Sequence, residues 1–306
     1  MESVRFKNRT WDVAADLRLP EGFDRAKKYP AIICAHPIGS CKEQTSGSVY
    51  AERLTELGYV TLAFDASHQG ESGGEPRYLE DPATRVEDFR CAVDHLVTLD
   101  YVDEDRIGTV GVCGGGGYAV NAAMTDRRIK ALGTVVAADY GRVIREGGLT
   151  PGAAIETLEA IGRQRTAEAR GAEPLITTYA PTAEQVKQAG ITDPDIVDAV
   201  DYYQTPRGQH PGSPNRLLFS GLSAALGFDA FHLAEELLTQ PLQIIIGDVP
   251  GAFGSYRDGF ELFNRARSAK KDLFVVEGAG HYDLYDQPEA TGKALRKLGE
   301  FFKENL

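Results

Sequence analysis

Cysteine is scarce in this chain, whose 306 residues include four, Cys34, Cys41, Cys91 and Cys113. Cysteines so few and so scattered do not form the disulfide framework on which small secreted proteins depend. The sequence therefore predicts a cytoplasmic protein. In that reducing compartment a free, reactive thiol can persist.

Long hydrophobic runs and an excess of positive charge are also missing. No stretch approaches the roughly 20 apolar residues of a membrane-spanning helix, and the charged N-terminus has no apolar segment of signal-peptide length. The 33 Lys and Arg residues against 45 Asp and Glu residues give a formal net charge of −12. Nucleic acids and anionic membranes bind to basic faces, so neither is an expected partner. A homo-oligomer remains an open alternative.

Strand-like and helix-like segments alternate through most of the chain. Short alternating runs at residues 4–6 and 13–19 predict an N-terminal hairpin. Continuous apolar runs at 31–35 and 59–64 are typical of strands buried on both faces. Further strands are predicted at 106–112, 130–138, 242–246 and 273–276, and helices at 47–57, 82–99, 255–269 and from Pro288. This alternation predicts an α/β fold with a mostly parallel central sheet and an antiparallel N-terminal hairpin.

Residues 140–240 interrupt the alternation, and their sequence predicts helices. The predicted helix starts are Thr150-Pro151, Thr182 with Gln185 in capping-box spacing, and Asp193-Pro194. A long helical segment between two strands of one sheet predicts a lid over the carboxyl edge of that sheet. The expected organisation is a core of residues 1–139 and 241–306 with a helical lid of residues 140–240, inserted before the last two strands.

Cys113 is the predicted nucleophile. It is the central residue of Gly111-Val112-Cys113-Gly114-Gly115, which lies between a predicted strand and a predicted helix, as a nucleophile elbow requires. The flanking glycines permit a turn too tight for side chains, and the helix dipole favours a thiolate at this position. The alternative is an inert cysteine packed in a strand–helix turn.

His281 is the predicted general base, because it directly follows the last predicted strand. The order of nucleophile, acid and histidine matches the triads found on sheets of this kind. Asp248, after the strand at 242–246, is the first choice for the acid, although it is also a typical turn residue. Asp139 is the alternative acid, and Asp283 is too close to His281 in sequence.

An oxyanion site needs two backbone N–H donors that point to one place. Gly114, the residue after the nucleophile, supplies one. The other is expected from the loop at 36–40, and because proline has no N–H it is Ile38 or else Gly39. His36 in the same loop is expected to do no more than pack beside the elbow.

Together these segments resemble the α/β-hydrolase superfamily, and within it the dienelactone-hydrolase-related group and the hydrolases similar to fungal polyketide transferases. The resemblance rests on residues 36–44, 64–74 and 111–117 and on Gly280-His281. It implies a Cys–His–Asp triad, carried onto Cys113, His281 and Asp248. From the chemistry of a cysteine nucleophile we expect a covalent acyl-enzyme, a small-molecule acyl substrate with an ester, lactone or thioester bond, and no cofactor or metal. Relatives often carry an acid a few residues into the loop after Ile246, where this chain has Val249-Pro250-Gly251.

Several alternatives remain beside this hypothesis. The same scaffold can serve as an acyl (polyketide) transferase or as a non-catalytic ligand-binding protein. Gly114, Gly116 and Ala119 superficially fit a dinucleotide fingerprint, and Cys34, His36 and Cys41 are candidate metal ligands without a matching fourth. In the lid, four aromatic residues are candidates either for a substrate pocket or for packing between helices: Tyr179, Tyr202, Tyr203 and Phe231.

Overall fold

The computed structural model describes residues 1–147 and 152–306. Its strands are β1 (Glu2–Asn8), β2 (Trp11–Arg18), β3 (Tyr29–Ala35), β4 (Val60–Phe64), β5 (Val102–Val112), β6 (Ile129–Val135), β7 (Ile176–Thr177), β8 (Leu217–Leu218), β9 (Leu242–Gly247) and β10 (Lys271–Val276). Apart from β7 and β8, these strands form one eight-stranded sheet in the order β1-β2-β4-β3-β5-β6-β9-β10. The hairpin β1–β2 and the pair β2–β4 are antiparallel, and the other neighbours run parallel. The mostly parallel sheet and the N-terminal hairpin are thus confirmed.

Helices cover both faces of this sheet. They are α1 (Glu52–Glu56), which continues a π-helical segment at Ser46–Ala51, α2 (Pro82–Val97), α3 (Gly114–Thr125), α4 (Tyr140–Glu146), α5 (Ala153–Ala169), α6 (Ala183–Ala189), α7 (Pro194–Gln204), α8 (Leu222–Leu226), α9 (Ala234–Leu237), α10 (Ser255–Arg265), α11 (Asp283–Asp286) and α12 (Pro288–Asn305). Neighbouring strand residues face opposite sides. In β3, Ile33 joins the core beneath α2, α3 and α10, and Ile32 joins the core beneath α1 and α12. No helix in the described part of the chain has both the length and the hydrophobicity to cross a membrane.

The end of β6 differs from the prediction. The strand stops at Val135, although the apolar run continues to Ala138. The reason is Val136, whose φ of 42° breaks the extended conformation, while its N–H still donates to Ile245 O at 2.8 Å. The chain therefore bends away at the carboxyl edge of the sheet, beside Cys113.

The inserted segment, residues 140–240, lies between β6 and β9. Its helices include two that begin where predicted: Thr182 forms a capping box with Gln185, and the Asp193 side chain accepts from Ile196 N at 3.3 Å. The predicted start at Thr150-Pro151 lies outside the described residues. The segment also contains strands, which the sequence did not indicate. β7 and β8 pair antiparallel, and at two residues each they are too short to show an alternating pattern.

Candidate active site

Cys113 occupies a closed, strained turn between β5 and α3. Its φ of 54° and ψ of −127° lie outside the regions that ordinary residues favour. The backbone holds this conformation, because Cys113 N donates to Val135 O at 3.0 Å and Cys113 O accepts from Ala138 N at 3.1 Å. A Cβ at Gly111 would lie 2.4 Å from Gly115 O, so the turn closes only with glycine there. The local geometry is that of a nucleophile elbow.

His281 lies on the loop after β10, beside the elbow, and is buried. Its Nε2 is 3.3 Å from the Tyr285 hydroxyl oxygen, and its Nδ1 is 2.9 Å from Ser255 Oγ. Tyr285 belongs to α11 and Ser255 is the first residue of α10. The imidazole is therefore held at both nitrogens by hydroxyl groups from two different helices.

The pKa of the Cys113 thiol reflects these neighbours. Burial by itself raises this pKa, but the charge of His281 and a hydrogen bond with it lower it. Hydrogen bonds with the Tyr285 hydroxyl and the Gly114 amide lower the pKa further. The result is a pKa below that of an ordinary thiol, and the thiolate is the nucleophilic form of cysteine.

The predicted acid does not meet the histidine. Asp248 is exposed, and its Oδ1 accepts from Gly278 N at 2.6 Å, in the turn after β10. Asp139 caps α4 through Gly141 N at 3.1 Å and pairs with Arg145 at 3.3 Å. Both carboxylates thus serve backbone turns and caps, and the structure brings neither Asp248 nor Asp139 to the His281 imidazole.

Ser255 occupies the place expected for the acid, at His281 Nδ1, and no sequence motif assigns it there. It is buried and follows Gly254, whose φ of 65° turns the loop after β9 into α10. The available signal was the predicted start of a helix at residue 255, since serine is common at helix starts. A serine at a helix start has a local structural role as well, so this signal alone could not assign it to the site.

The two predicted oxyanion donors lie against each other at the elbow. A Cβ on Gly114 would be 2.4 Å from Ile38 Cγ1, and both residues line the same cavity as Cys113. Gly114 N, at the start of α3, has no acceptor within its own helix, and Ile38 N has no hydrogen-bond acceptor among the described residues. The Ile38 amide is therefore available to a ligand atom in front of the sulfur. The Gly114 amide bonds to the Cys113 thiol and would exchange that hydrogen bond for one with the ligand.

His36 has a structural role behind this loop. Its Nδ1 lies 2.7 Å from Pro37 O, and its Nε2 accepts from Ala66 N at 2.9 Å. Burial, together with the charge of Arg85, holds the pKa of His36 well below its usual value, so the ring is neutral. His36 thus fixes the loop that carries Ile38, and with both nitrogens engaged it does not form a metal site with Cys34 and Cys41.

A cavity of about 90 Å³ opens in front of Cys113. Aromatic and small apolar side chains dominate its lining: Ile38, Cys113, Gly114, Ala138, Tyr140, Val143, Tyr179, Ala180, Ala199, Tyr203, Phe253, Tyr282 and Tyr285. Of the four aromatic candidates from the inserted segment, Tyr179 and Tyr203 are in this lining. Tyr202 packs behind it on Tyr285, with ring centroids 5.1 Å apart, and Phe231 belongs to the core under the sheet.

Neighbouring protein segments pack directly against the glycine-rich turn, which argues against a dinucleotide site. Cβ atoms at Gly114 and Gly116, the two glycines of the fingerprint, would lie 2.4 Å from Ile38 Cγ1 and 2.7 Å from Ala137 Cβ. In a dinucleotide fingerprint the glycines instead give the pyrophosphate close access to the backbone. Here side chains of neighbouring segments already fill that space.

A strained nucleophile turn at the carboxyl edge of a parallel sheet, followed at the end of the chain by a histidine loop, defines a class of α/β proteins built around one reactive side chain. The model of the alpha/beta hydrolase family matches residues 32–294. The chain belongs to this family.

Relatives cover almost the whole chain. The uncharacterized protein YcjY of Escherichia coli (strain K12) is 43% identical over 302 residues, which are 98% of this chain and 96% of that protein. The crystal structure of the hypothetical protein PA2218 from Pseudomonas aeruginosa superimposes with a TM-score of 0.90 at 35% identity, covering 100% of this chain and 93% of that one. A thiohydrolase of Eupenicillium brefeldianum is 32% identical over 265 residues, 86% of this chain and 82% of the fungal protein. The last match confirms the resemblance to fungal hydrolases, whereas the resemblance to the dienelactone-hydrolase group stays a prediction.

Proposed function

We propose that this α/β hydrolase cleaves esters and thioesters of small acyl groups through a covalent acyl-enzyme at Cys113. The observation that carries the proposal is the thiol itself, which has a lowered pKa, lies on a strained elbow and opens onto an apolar cavity. Thiohydrolases are among its relatives, in Eupenicillium brefeldianum and, at 35% identity over 34% of this chain, in Aspergillus aculeatus. A thiohydrolase acts on the bond class that this site suits best.

The first half of the reaction is acylation of the thiolate. Cys113 Sγ attacks the carbonyl carbon, and the negative charge that develops on the carbonyl oxygen is stabilised by the N–H groups of Ile38 and Gly114. The tetrahedral intermediate then collapses. Its leaving group departs with a proton from the His281 imidazolium, and the acyl group remains as a thioester on Cys113.

The second half of the reaction releases the acyl group. His281 accepts a proton from a water molecule as that water attacks the thioester carbon, and the thiolate of Cys113 leaves. The products are a carboxylic acid and the regenerated thiolate–imidazolium pair. During both halves Ser255 Oγ can accept a hydrogen bond from Nδ1–H, which keeps the ring oriented with Nε2 toward the reacting atoms.

Thiolate chemistry selects the substrate's leaving group. A thiolate is a good leaving group, so the intermediate returns to the starting ester unless the substrate's own leaving group is comparably good. Thioesters, enol lactones and activated esters meet this condition and peptides do not. Ser255 strengthens this requirement for a good leaving group, because a neutral hydroxyl stabilises the imidazolium less than a carboxylate would.

The cavity selects the acyl group. Its walls are side chains such as Val143, Ala199 and Phe253, with tyrosines around them. Burial raises the pKa of the lining tyrosines Tyr179 and Tyr203, so their hydroxyls are neutral. An uncharged, predominantly apolar acyl group therefore fits, whereas a carboxylate or an ammonium group would lose its hydration without gaining a partner.

The test is a panel of acyl thioesters, enol lactones and p-nitrophenyl esters, assayed with the wild type and with Cys113→Ala. We expect turnover of apolar acyl thioesters by the wild type and none by the variant. Cys91→Ser is the matched control, since Cys91 is a free thiol in α2, remote from the cavity. Full turnover by Cys113→Ala, or binding of these compounds without turnover by the wild type, would refute the proposal. The second outcome would favour the non-catalytic ligand-binding alternative.

Acyl transfer is the second candidate, because the predominantly apolar cavity disfavours water. A fungal relative, the acyltransferase drtE of Aspergillus calidoustus, is 31% identical over 155 residues, 51% of this chain. The ratio of acid to transfer product, measured with added alcohols and thiols, distinguishes a hydrolase from a transferase. A transferase forms the new ester or thioester far in excess of the acid, and a hydrolase does not.

A further inference from the structure

A second cysteine–histidine pair lies outside the active-site cavity. Cys41 Sγ is 3.2 Å from His210 Nδ1, and Glu43 Oε2 is 3.8 Å from the same nitrogen. One ligand atom from each of the three residues lies within 4.8 Å of the other two. Cys41 and Glu43 belong to the loop after β3 and His210 to the inserted segment, so the cluster joins these two parts of the chain.

We propose that Cys41, Glu43 and His210 bind one divalent metal ion of the zinc class, with water as the fourth ligand. A thiolate, an imidazole and a carboxylate are the donors that zinc prefers. Ordinary zinc bond lengths in a tetrahedron place neighbouring donor atoms about 3.3–3.6 Å apart. The two separations at His210 Nδ1 lie within a few tenths of an ångström of that range, so small side-chain movements complete the site.

The carboxylate is already oriented for this role. Lys42 Nζ pairs with Glu43 Oε1 and also contacts Asp65 and Glu71. The other carboxylate oxygen, Glu43 Oε2, is buried and has no hydrogen-bond partner among the described residues. A buried, unpartnered carboxylate oxygen costs free energy, and a cation beside it would remove that cost.

The imidazole has the tautomer that the site needs. Gly212 N donates to His210 Nδ1 at 3.1 Å, so this nitrogen carries a lone pair and the ring proton is on Nε2. On binding, the lone pair turns from the amide to the ion. The space is kept open by glycine, because a Cβ at Gly212 would lie 3.1 Å from that nitrogen and 3.3 Å from Cys41 Sγ.

Binding exchanges a proton for the ion. Zinc-class ions bind cysteine as the thiolate, so the Cys41 thiol must lose its proton. When the ion binds, the S–H bond breaks, the proton passes to solvent and the sulfur–metal bond forms. An entry path exists, because the side chains of His210 and Glu43 are 37% and 31% exposed.

The position of the site gives it a structural role. In the loop that carries Ile38, Gly39 O accepts hydrogen bonds from the Tyr179 hydroxyl at 2.7 Å and from Ser213 Oγ of the inserted segment. An ion at Cys41 and His210 adds a further link between the same two parts of the chain. It would hold the inserted segment over the cavity without touching the reacting atoms.

The test is cobalt titration of the full chain, without a histidine tag, after chelation and dialysis. A Cys113→Ala background removes the catalytic thiol as a rival ligand and separates this result from the proposed function. We expect one Co²⁺ per chain with a thiolate-to-cobalt charge-transfer band, displaced by Zn²⁺. Cys41→Ser should abolish the band, and His210→Gln should weaken binding at least about tenfold. The matched controls Cys91→Ser and His232→Gln, at a remote thiol and an exposed histidine, should bind like the parent.

Two results would overturn the proposal. One is a parent protein that shows no charge-transfer band at millimolar cobalt. The other is equal binding by the parent, Cys41→Ser and His210→Gln, which would place the ion elsewhere. Circular dichroism of each variant shows whether a loss of binding accompanies a loss of folding. For any variant that unfolds, Gly212→Ala serves instead, because its methyl group narrows the space beside Cys41 Sγ and should weaken cobalt binding.

Discussion

Two cysteine–histidine pairs in this chain have opposite chemistry. At the Cys113–His281 pair, hydrogen bonds and the charge of the imidazole lower the thiol pKa, and the sulfur lines a cavity. At the Cys41–His210 pair, burial and two nearby carboxylates raise the thiol pKa. The residue types are the same, so the surroundings decide which sulfur is a nucleophile. The surroundings of Cys113 thus favour its thiolate, whereas burial and carboxylates disfavour the thiolate of Cys41.

The largest expected difference is in turnover. Cys113→Ala should lower kcat for an apolar acyl thioester by at least about a thousandfold, because a covalent path is lost when its nucleophile is removed. Cys91→Ser should stay within about twofold of the wild type, since it changes a thiol far from the cavity. Steady-state kinetics of the purified proteins measure both. If kcat fell to a similar extent in both variants, Cys113 would have no special role in catalysis.

Alkylation rates sharpen the same comparison. At pH 7 iodoacetamide should modify Cys113 at least about ten times faster than Cys41, because a lowered pKa populates the thiolate. As the pH is lowered, the alkylation rate of Cys113 should begin to decline only below the usual thiol pKa of about 8.5. The alkylation rate of Cys41 should already be low at neutral pH. Peptide mass mapping over time and pH gives both rates. Faster labelling of Cys41 than of Cys113 would contradict the assignment of Cys113 as the more reactive thiol.

Ser255→Ala tests how the reactive histidine is held. Loss of the 2.9 Å contact at Nδ1 should lower kcat about tenfold and leave KM little changed, because the serine positions the ring and does not touch substrate. Ser255→Thr keeps the hydroxyl and should restore most of the rate. The pH profile of kcat/KM should shift in Ser255→Ala and not in the threonine variant. Identical profiles for all three proteins would leave Ser255 with a packing role alone.

The smallest effect is expected for Tyr285→Phe. The hydroxyl helps to lower the pKa of Cys113, so its removal should raise that pKa and slow alkylation at pH 7 about two- to fivefold. The pH dependence of Cys113 labelling reports the shift. An unchanged profile would show that the histidine alone sets the reactivity of this thiol.

The parts of the site that the sequence predicted are those encoded by local pattern. The glycines around Cys113 mark a turn that no other residue permits, and His281 follows the last strand. The partner of the imidazole was not predictable in this way. Which residue of the loop after β9 faces His281 depends on how that loop folds, with Gly254 at positive φ and Phe253 N bound to Asp195 of the inserted segment at 2.8 Å.

The second pair illustrates the same limit. The sequence offers Cys34 and His36 as candidate partners of Cys41, because they lie nearby in the chain. His210 is 169 positions away and comes close only when the inserted segment folds over the loop after β3. Similarly, the apolar run after β6 predicts a longer strand, and the positive φ at Val136 that ends it has no local signature.

The most direct test of the account is to trap the acyl-enzyme and map it. The protein is incubated with a slowly deacylating p-nitrophenyl ester, quenched in acid and digested, and the modified peptide is sequenced by mass spectrometry. A single acyl adduct on the sulfur of Cys113, absent from Cys113→Ala and diminished in His281→Ala, is the predicted result. An adduct on Cys41 or on a serine, or turnover with no adduct at any time point, would contradict the claim that Cys113 is the nucleophile.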